Sequence, residues 1–200
     1  MNEFHYFQSA VYREERPEWV EPVLRRSEPY YEAQRKRHKE ENIGWPVIQT
    51  EHMGNDPELQ FLGDFFGQTA TKILESQGYV LDPYELQVNG MWAQEIGQGG
   101  MHESHVHANT QMCGFFFLQT PEWGAYPIFS DPRPGKMMTG FWAKQDGNVY
   151  LATPQIYFSN MLPGTFMFFN AWLPHQLTIN HSTEPTKFVH FTLTAREKMN

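Results

Sequence analysis

From Asp82-Pro83 onward the chain breaks into short apolar and aromatic runs, each closed within a few residues by Gly, Pro or Asn. This punctuation limits the fold more than any other feature, because it suits strands of about 5 residues joined by turns of about 4 to 6. Candidate strands are Glu85 to Ile96, His105 to Ala108, Gly114 to Leu118, Ala125 to Ser130, Phe141 to Lys144, Val149 to Ala152, Gln155 to Phe158, Thr165 to Phe169, Gln176 to Asn180 and Phe188 to Ala195. Many short strands with regular turns point to a mainly β protein, an antiparallel sandwich or jelly roll. Such a fold needs about eight strands, so Arg133 to Ala152 reads as an excursion, with Asp146-Gly147 as its hairpin turn.

The first 80 residues have another texture. Arg13 to Glu41 is rich in Glu, Arg and Lys and is interrupted by Pro17, Pro22 and Pro29, which predicts one or two short solvated helices. Asp56-Pro57-Glu58 looks like an N-cap followed by proline in the first turn. Leu59, Leu62, Phe66, Thr69 and Ile73 then recur at helical spacing, and Gly78 ends the helix. The expected organisation is a helical N-terminal section, residues 1–80, packed on a β core spanning residues 81–200.

Two hundred residues suffice for one domain with a substantial core. The formal charge of -8 disfavours nucleic acid as a partner, since an acidic surface repels phosphate. Cys113 stands alone, which excludes an intramolecular disulfide and a cysteine zinc site and suggests a reducing compartment. The start of the sequence lacks a signal pattern, and no apolar run approaches the roughly 20 residues that cross a bilayer. The expectation is a soluble cytoplasmic protein without a membrane partner; a homo-oligomer is compatible with the sequence.

Chemistry concentrates in Met101-His-Glu-Ser-His-Val-His107. On an extended strand His105 and His107 project to one face and can reach one metal ion, with Glu103 on the same face and His102 on the other. His175, after the β-rich run from Leu162 and a turn, is the remote third ligand. Three imidazoles can hold iron(II), copper(II) or zinc(II). Trp92, Phe115, Phe117, Phe129 and Trp172 are available as an aromatic lining.

This half of the chain resembles the iron(II) and 2-oxoglutarate-dependent oxygenases, within them the small oxygenases common in phage and marine bacterial genomes. The resemblance rests on Trp92, on His105-Val-His107 with Asn109-Thr110 and the strand Cys113 to Leu118, on Phe129-Ser-Asp-Pro-Arg133, and on Pro163-Gly164 leading to His175. It implies a double-stranded β-helix (jelly roll) on which His105, His107 and His175 bind Fe(II). It further implies that 2-oxoglutarate is decarboxylated to succinate while a small-molecule or peptide substrate is hydroxylated or otherwise oxidised. Two departures stand out. The family usually has Asp or Glu where this chain has His107, which leaves Glu103 as an alternative ligand. The family also holds the far carboxylate of 2-oxoglutarate with a basic residue, often followed two positions later by Ser or Thr; here Lys187 is first choice, with Val189 at the hydroxyl position, and Arg133 second. Asn109 and Gln94 are further polar candidates near the metal or substrate. Gly99, His105 and His107 also match the opening of the cupin metal motif, whose glutamate is replaced by Gln111. A cupin-like dioxygenase or isomerase without 2-oxoglutarate is therefore one alternative, and a non-enzymatic β-sandwich for binding or assembly is another.

Overall fold

The structure, a computed structural model, describes residues 1–2, 7–138 and 140–198. In chain order its strands are β1 (Val11–Glu15), β2 (Val47–Gln49), β3 (Tyr84–Ile96), β4 (His102–His105), β5 (Met112–Gln119), β6 (Pro127–Ser130), β7 (Gln155–Tyr157), β8 (Thr165–Asn170), β9 (His175–Leu177) and β10 (Thr186–Glu197), with helices α1 (Val20–Glu40) and α2 (Gln60–Ser76). They form a six-stranded sheet, ordered β1-β8-β5-β10-β3-β2, and a four-stranded sheet, ordered β4-β9-β6-β7. The strand pairs are antiparallel. This is the mainly β jelly-roll architecture with an N-terminal helical section.

The large sheet is covered on both faces, which explains why Met112 to Leu118 reads as one unbroken apolar run rather than an alternation. Cys113, Phe115 and Phe117 face the small sheet and share a core with Phe129, Phe169, Leu177 and Phe188. Met112, Phe116 and Leu118 face the helices and join Phe66, Phe166, Phe168 and Phe191. The rings of Phe66 and Phe191 stack at 3.8 Å, tying α2 to β10.

The helix after Asp56 forms where its signals predict. The Asp56 carboxylate accepts a hydrogen bond from the Glu58 amide, and Gly78 takes the left-handed conformation, φ 93°, just past the helix end. The proline-rich segment differs from expectation: α1 is one helix of 21 residues that contains Pro29. Pro22 lies in the first turn, where amides have no intrahelical acceptor. An interior proline costs about 3 kcal/mol; burial of Val23 and Tyr31 against the sheet offsets it. The N-terminal section is also not purely helical, because β1 and β2 supply both edges of the large sheet. Arg13 to Glu15 of β1 reads as helix surface because edge strands carry charge.

Two expected strands are absent, and the strand expected over His105 to Ala108 instead ends at His105 as β4. Phe141 to Lys144 and Val149 to Ala152 form no ladder, and Thr139 lies outside the described residues. Asp146-Gly147 forms a bend rather than a hairpin turn, held by Asn148 and Tyr150 donating to the Asp146 carboxylate. Phe141 and Trp142 are 90% and 96% exposed, so these aromatics have no core to join and no reason to pair as strands. Among the described residues, no helix is long and apolar enough to cross a membrane.

Candidate metal centre

β4 and β9 build the centre between the sheets. His105 pairs with His175 and His102 with Leu177, so three steps on β4 match two on β9. This bulge corrects the simple alternation: it turns His102 to the same side as His105 instead of the opposite one. Beyond β4 the His107 amide donates to the Ala171 carbonyl at 3.0 Å, which brings its ring under the turn that precedes β9. The ligand atoms of His105, His107 and His175 all lie within 4.8 Å of one another, and among the described residues this is the cluster able to hold a metal ion. Glu103 is not part of it.

The unprotonated faces of these rings are set by the backbone. His175 Nδ1 lies 2.9 Å from the Leu173 carbonyl and His105 Nδ1 lies 2.7 Å from the Glu103 carbonyl. A carbonyl accepts, so Nδ1 carries the proton and Nε2 is left with its lone pair. The buried Nε2 atoms of His107 and His175 have no hydrogen-bond partner in the protein. Buried lone pairs that converge without a donor fit a divalent cation. Burial lowers the His175 pKa to about 3, with His105 and His107 adding to the effect, and lowers His107 to about 4, again by burial and then by His105. Both rings are thus neutral and ready to ligate at physiological pH.

His175 is 1% exposed, while His105 is exposed, so the centre opens on the His105 side. Phe169 and Phe115 meet the His175 ring edge-on at 4.6 and 5.9 Å and keep its inner side dry. The opening leads into a cleft of about 600 Å³ whose walls include Trp45, Gln49, Trp92, Gln94, His102 and His190.

The expected residues fall into two groups. Gln94 lines the cleft and donates to Gln49 Oε1 at 2.7 Å. Glu103 sits at its lip, where its carbonyl orients His105. Asn109 does not line it: the residue occupies an exposed left-handed turn, φ 55°, and its carbonyl accepts from Thr194. Lys187 lies on the wrong face of the large sheet for the co-substrate role assigned to it. It alternates with Phe188 and His190, which face the small sheet, and shares the helix-facing side with Val189 and Phe191. There its ammonium sits 3.4 Å from Glu95, 3.7 Å from Glu28 and 5.1 Å from the Tyr31 ring centre. Arg133 is an exposed residue paired with Asp131 at 2.6 and 2.9 Å, and it too is outside the cleft. Of the expected aromatics, Trp92 and Phe115 line the cleft, Phe117 and Phe129 are core, and Trp172 is 47% exposed.

His102, expected on the opposite face and either beside the ligands or at the surface, lies beside His105 in the cleft. One residue at the centre was not foreseen: His190 on β10, 3% exposed, stacked on Trp92 at 4.6 Å and 4.9 Å from His107. The period-2 sequence Phe188, His190 on the last strand carries the signal for it, once Phe188 is known to face inward.

Residues 90–191 match a protein-family model described as "Putative 2OG-Fe(II) oxygenase". Among curated proteins, none matches this chain in sequence. Among solved structures, AviO1 from Streptomyces viridochromogenes Tue57 is similar with a TM-score of 0.59 at 11% identity, over 93% of this chain and 90% of that one. A Pseudomonas putida prolyl-4-hydroxylase has a TM-score of 0.55 at 11% identity over 94% of each chain. The viral collagen prolyl hydroxylase vCPH from Paramecium Bursaria Chlorella virus-1, solved as its 2OG complex, has a TM-score of 0.54 at 11% identity, over 94% of this chain and 96% of that one. At these identities the likeness is one of fold.

Proposed function

Since the chain belongs to the 2OG-Fe(II) oxygenase family, we propose that His105, His107 and His175 hold its iron and that the cleft beside them admits a small-molecule or peptide substrate. Membership makes the protein an Fe(II)- and 2-oxoglutarate-dependent oxygenase and sets aside the cupin-like and assembly readings. The observation that supports the ligand set is the convergence of three histidine donor atoms within 4.8 Å, two of them buried without a partner.

When bound, iron and 2-oxoglutarate supply an oxidation of substrate coupled to decarboxylation of the co-substrate to succinate. The protein prepares the ground for it. The Leu173 and Glu103 carbonyls hold two imidazoles in the tautomer that leaves Nε2 free. Phe115 and Phe169 exclude water behind His175, and the exposed side of His105 leaves the donor cluster open to the cleft. Gln49 and Gln94, locked to one another, present amides to whatever enters. The charge of -8 argues against nucleic acid as the substrate.

The test is an anaerobic titration with iron(II) and then 2-oxoglutarate. One iron per chain, followed by a weak visible charge-transfer band on adding 2-oxoglutarate, is the expected result. His175→Ala should retain the fold by circular dichroism and lose the stoichiometric iron. Wild-type occupancy in that variant would overturn the ligand assignment.

A further inference from the structure

The cleft presents an anionic co-substrate with no cation. Among the described residues that line it there is neither lysine nor arginine. Lys187 is engaged on the opposite face of the sheet by Glu95 and Glu28, and Arg133 is engaged by Asp131. What the cleft offers instead is a set of buried polar atoms without protein partners: both ring nitrogens of His190, Nε1 of Trp92 and Nε2 of His102.

His190 is the most telling of these. A core histidine ordinarily has at least one ring nitrogen satisfied, because an unpaired buried polar group costs about 1 to 3 kcal/mol. Here neither nitrogen is paired although the residue is 3% exposed. Three rings hold its position. Trp92, its partner across the β3–β10 ladder, stacks on it with 17° between the planes, and Phe115 meets it edge-on at 5.2 Å. His107, a proposed ligand, is 4.9 Å away. A rigid donor with nothing to donate to, next to the metal centre and on the wall of the cleft, is what a bound anion requires. Trp92 Nε1 adds a second donor, and indole nitrogen can only donate.

Resting on the reading of the centre given above, we propose that His190 and Trp92 form the anchor for a carboxylate of 2-oxoglutarate, replacing a basic residue with two neutral donors. His102 shares the cleft but lies on the β4 side, beside His105 at 6.4 Å, and is left to the substrate side. The arrangement suits the charge of the centre. Three neutral imidazoles, iron(II) and the 2-oxoglutarate dianion sum to zero, so a further cation would leave the pocket with a net charge.

The experiment uses iron-loaded protein under anaerobic conditions, with 2-oxoglutarate binding read by calorimetry and by the charge-transfer band. His190→Phe should keep one iron per chain and weaken 2-oxoglutarate by about 10-fold or more, the scale of a lost hydrogen bond to a charged group. Trp92→Phe, which removes Nε1 and keeps the stacking ring, should weaken it likewise. His190→Gln, which restores a donor, should recover part of the loss, and Lys187→Met should bind as the wild type does. Without metal, His190→Phe should melt at or above the wild-type temperature, because two unpaired nitrogens have been removed from the core. Unchanged 2-oxoglutarate affinity in His190→Phe, or in Trp92→Phe should the first variant not fold, overturns the proposal. Loss of iron from His190→Phe also overturns it and makes His190 a metal ligand. If the wild-type protein binds iron but no 2-oxoglutarate, the broader reading of the site fails instead.

Discussion

His107, a proposed iron ligand, stands where the sequence resemblance leads one to expect Asp or Glu, and the consequence is electrostatic. With Asp in its place the loaded site would carry one negative charge more, and two unit charges about 4 Å apart repel by about 4 kcal/mol at an effective dielectric constant near 20. His107→Asp should therefore hold iron(II) and bind 2-oxoglutarate at least several-fold more weakly, measured by anaerobic calorimetry; equal affinity would show that solvent screens the pair. Glu103→Gln should leave iron binding and turnover in place, because the exposed carboxylate lies outside the donor cluster and the backbone carbonyl does the orienting. Loss of iron in that variant would move the carboxylate back into the ligand set. The convergence of His105, His107 and His175 was legible because clustered histidines followed by a remote one after a β-rich run stand out in the sequence. His102 was misjudged because one bulge residue reverses its face, and His190 was passed over because its meaning depends on which side of β10 faces inward.

Strands that carry a core face were legible, and strands that do not were not. β3, β5, β8 and β10 fall within a few residues of their predicted bounds because Phe and Met fill one or both faces. β1 and β2 escaped notice as short edge strands, and Phe141 to Ala152 imitated a hairpin through composition alone. This segment should exchange its amide hydrogens fast in the ligand-free protein, since its backbone has no ladder and its aromatics are exposed. Exchange as slow as that of β5 would mean that it is fixed structure. Substrate and co-substrate together are expected to slow it, as a long connection over a compact β domain tends to carry specificity. The opposite extreme is β5, where Gly114 lies beside β8 in the large sheet. A Cβ there would collide with the Met167 carbonyl and the Phe191 ring, both part of the packed core. Gly114→Ala should cost about 1 to 3 kcal/mol or more by overpacking, read from chemical denaturation. A neutral result would mean that β8 can shift.

Taken as one body, the protein holds a group of histidines neutral in its interior, and its acid stability follows from that. His175 is depressed to about 3 and His190 well below its usual value, both chiefly by burial. An unfolded histidine titrates near 6.5, so below that pH the unfolded chain takes up protons that the folded one refuses, and stability falls as pH falls. Each such histidine contributes up to about 1.4 kcal/mol per pH unit until its folded pKa is reached. Two paired carboxylates work in the same direction but later: Glu95 and Asp56 are held below their ordinary values by Arg35 and Arg26, against the desolvation that would raise them, and give up their contribution under more acid conditions. The metal-free protein should therefore lose melting temperature steadily from about pH 6.5 to pH 5, before carboxylates titrate. His190→Phe should flatten the slope, having removed one of the neutral groups. Iron steepens the dependence, since it binds the neutral rings that acid would protonate. A melting temperature that is level across this range would mean that the histidines are hydrated and protonate in place.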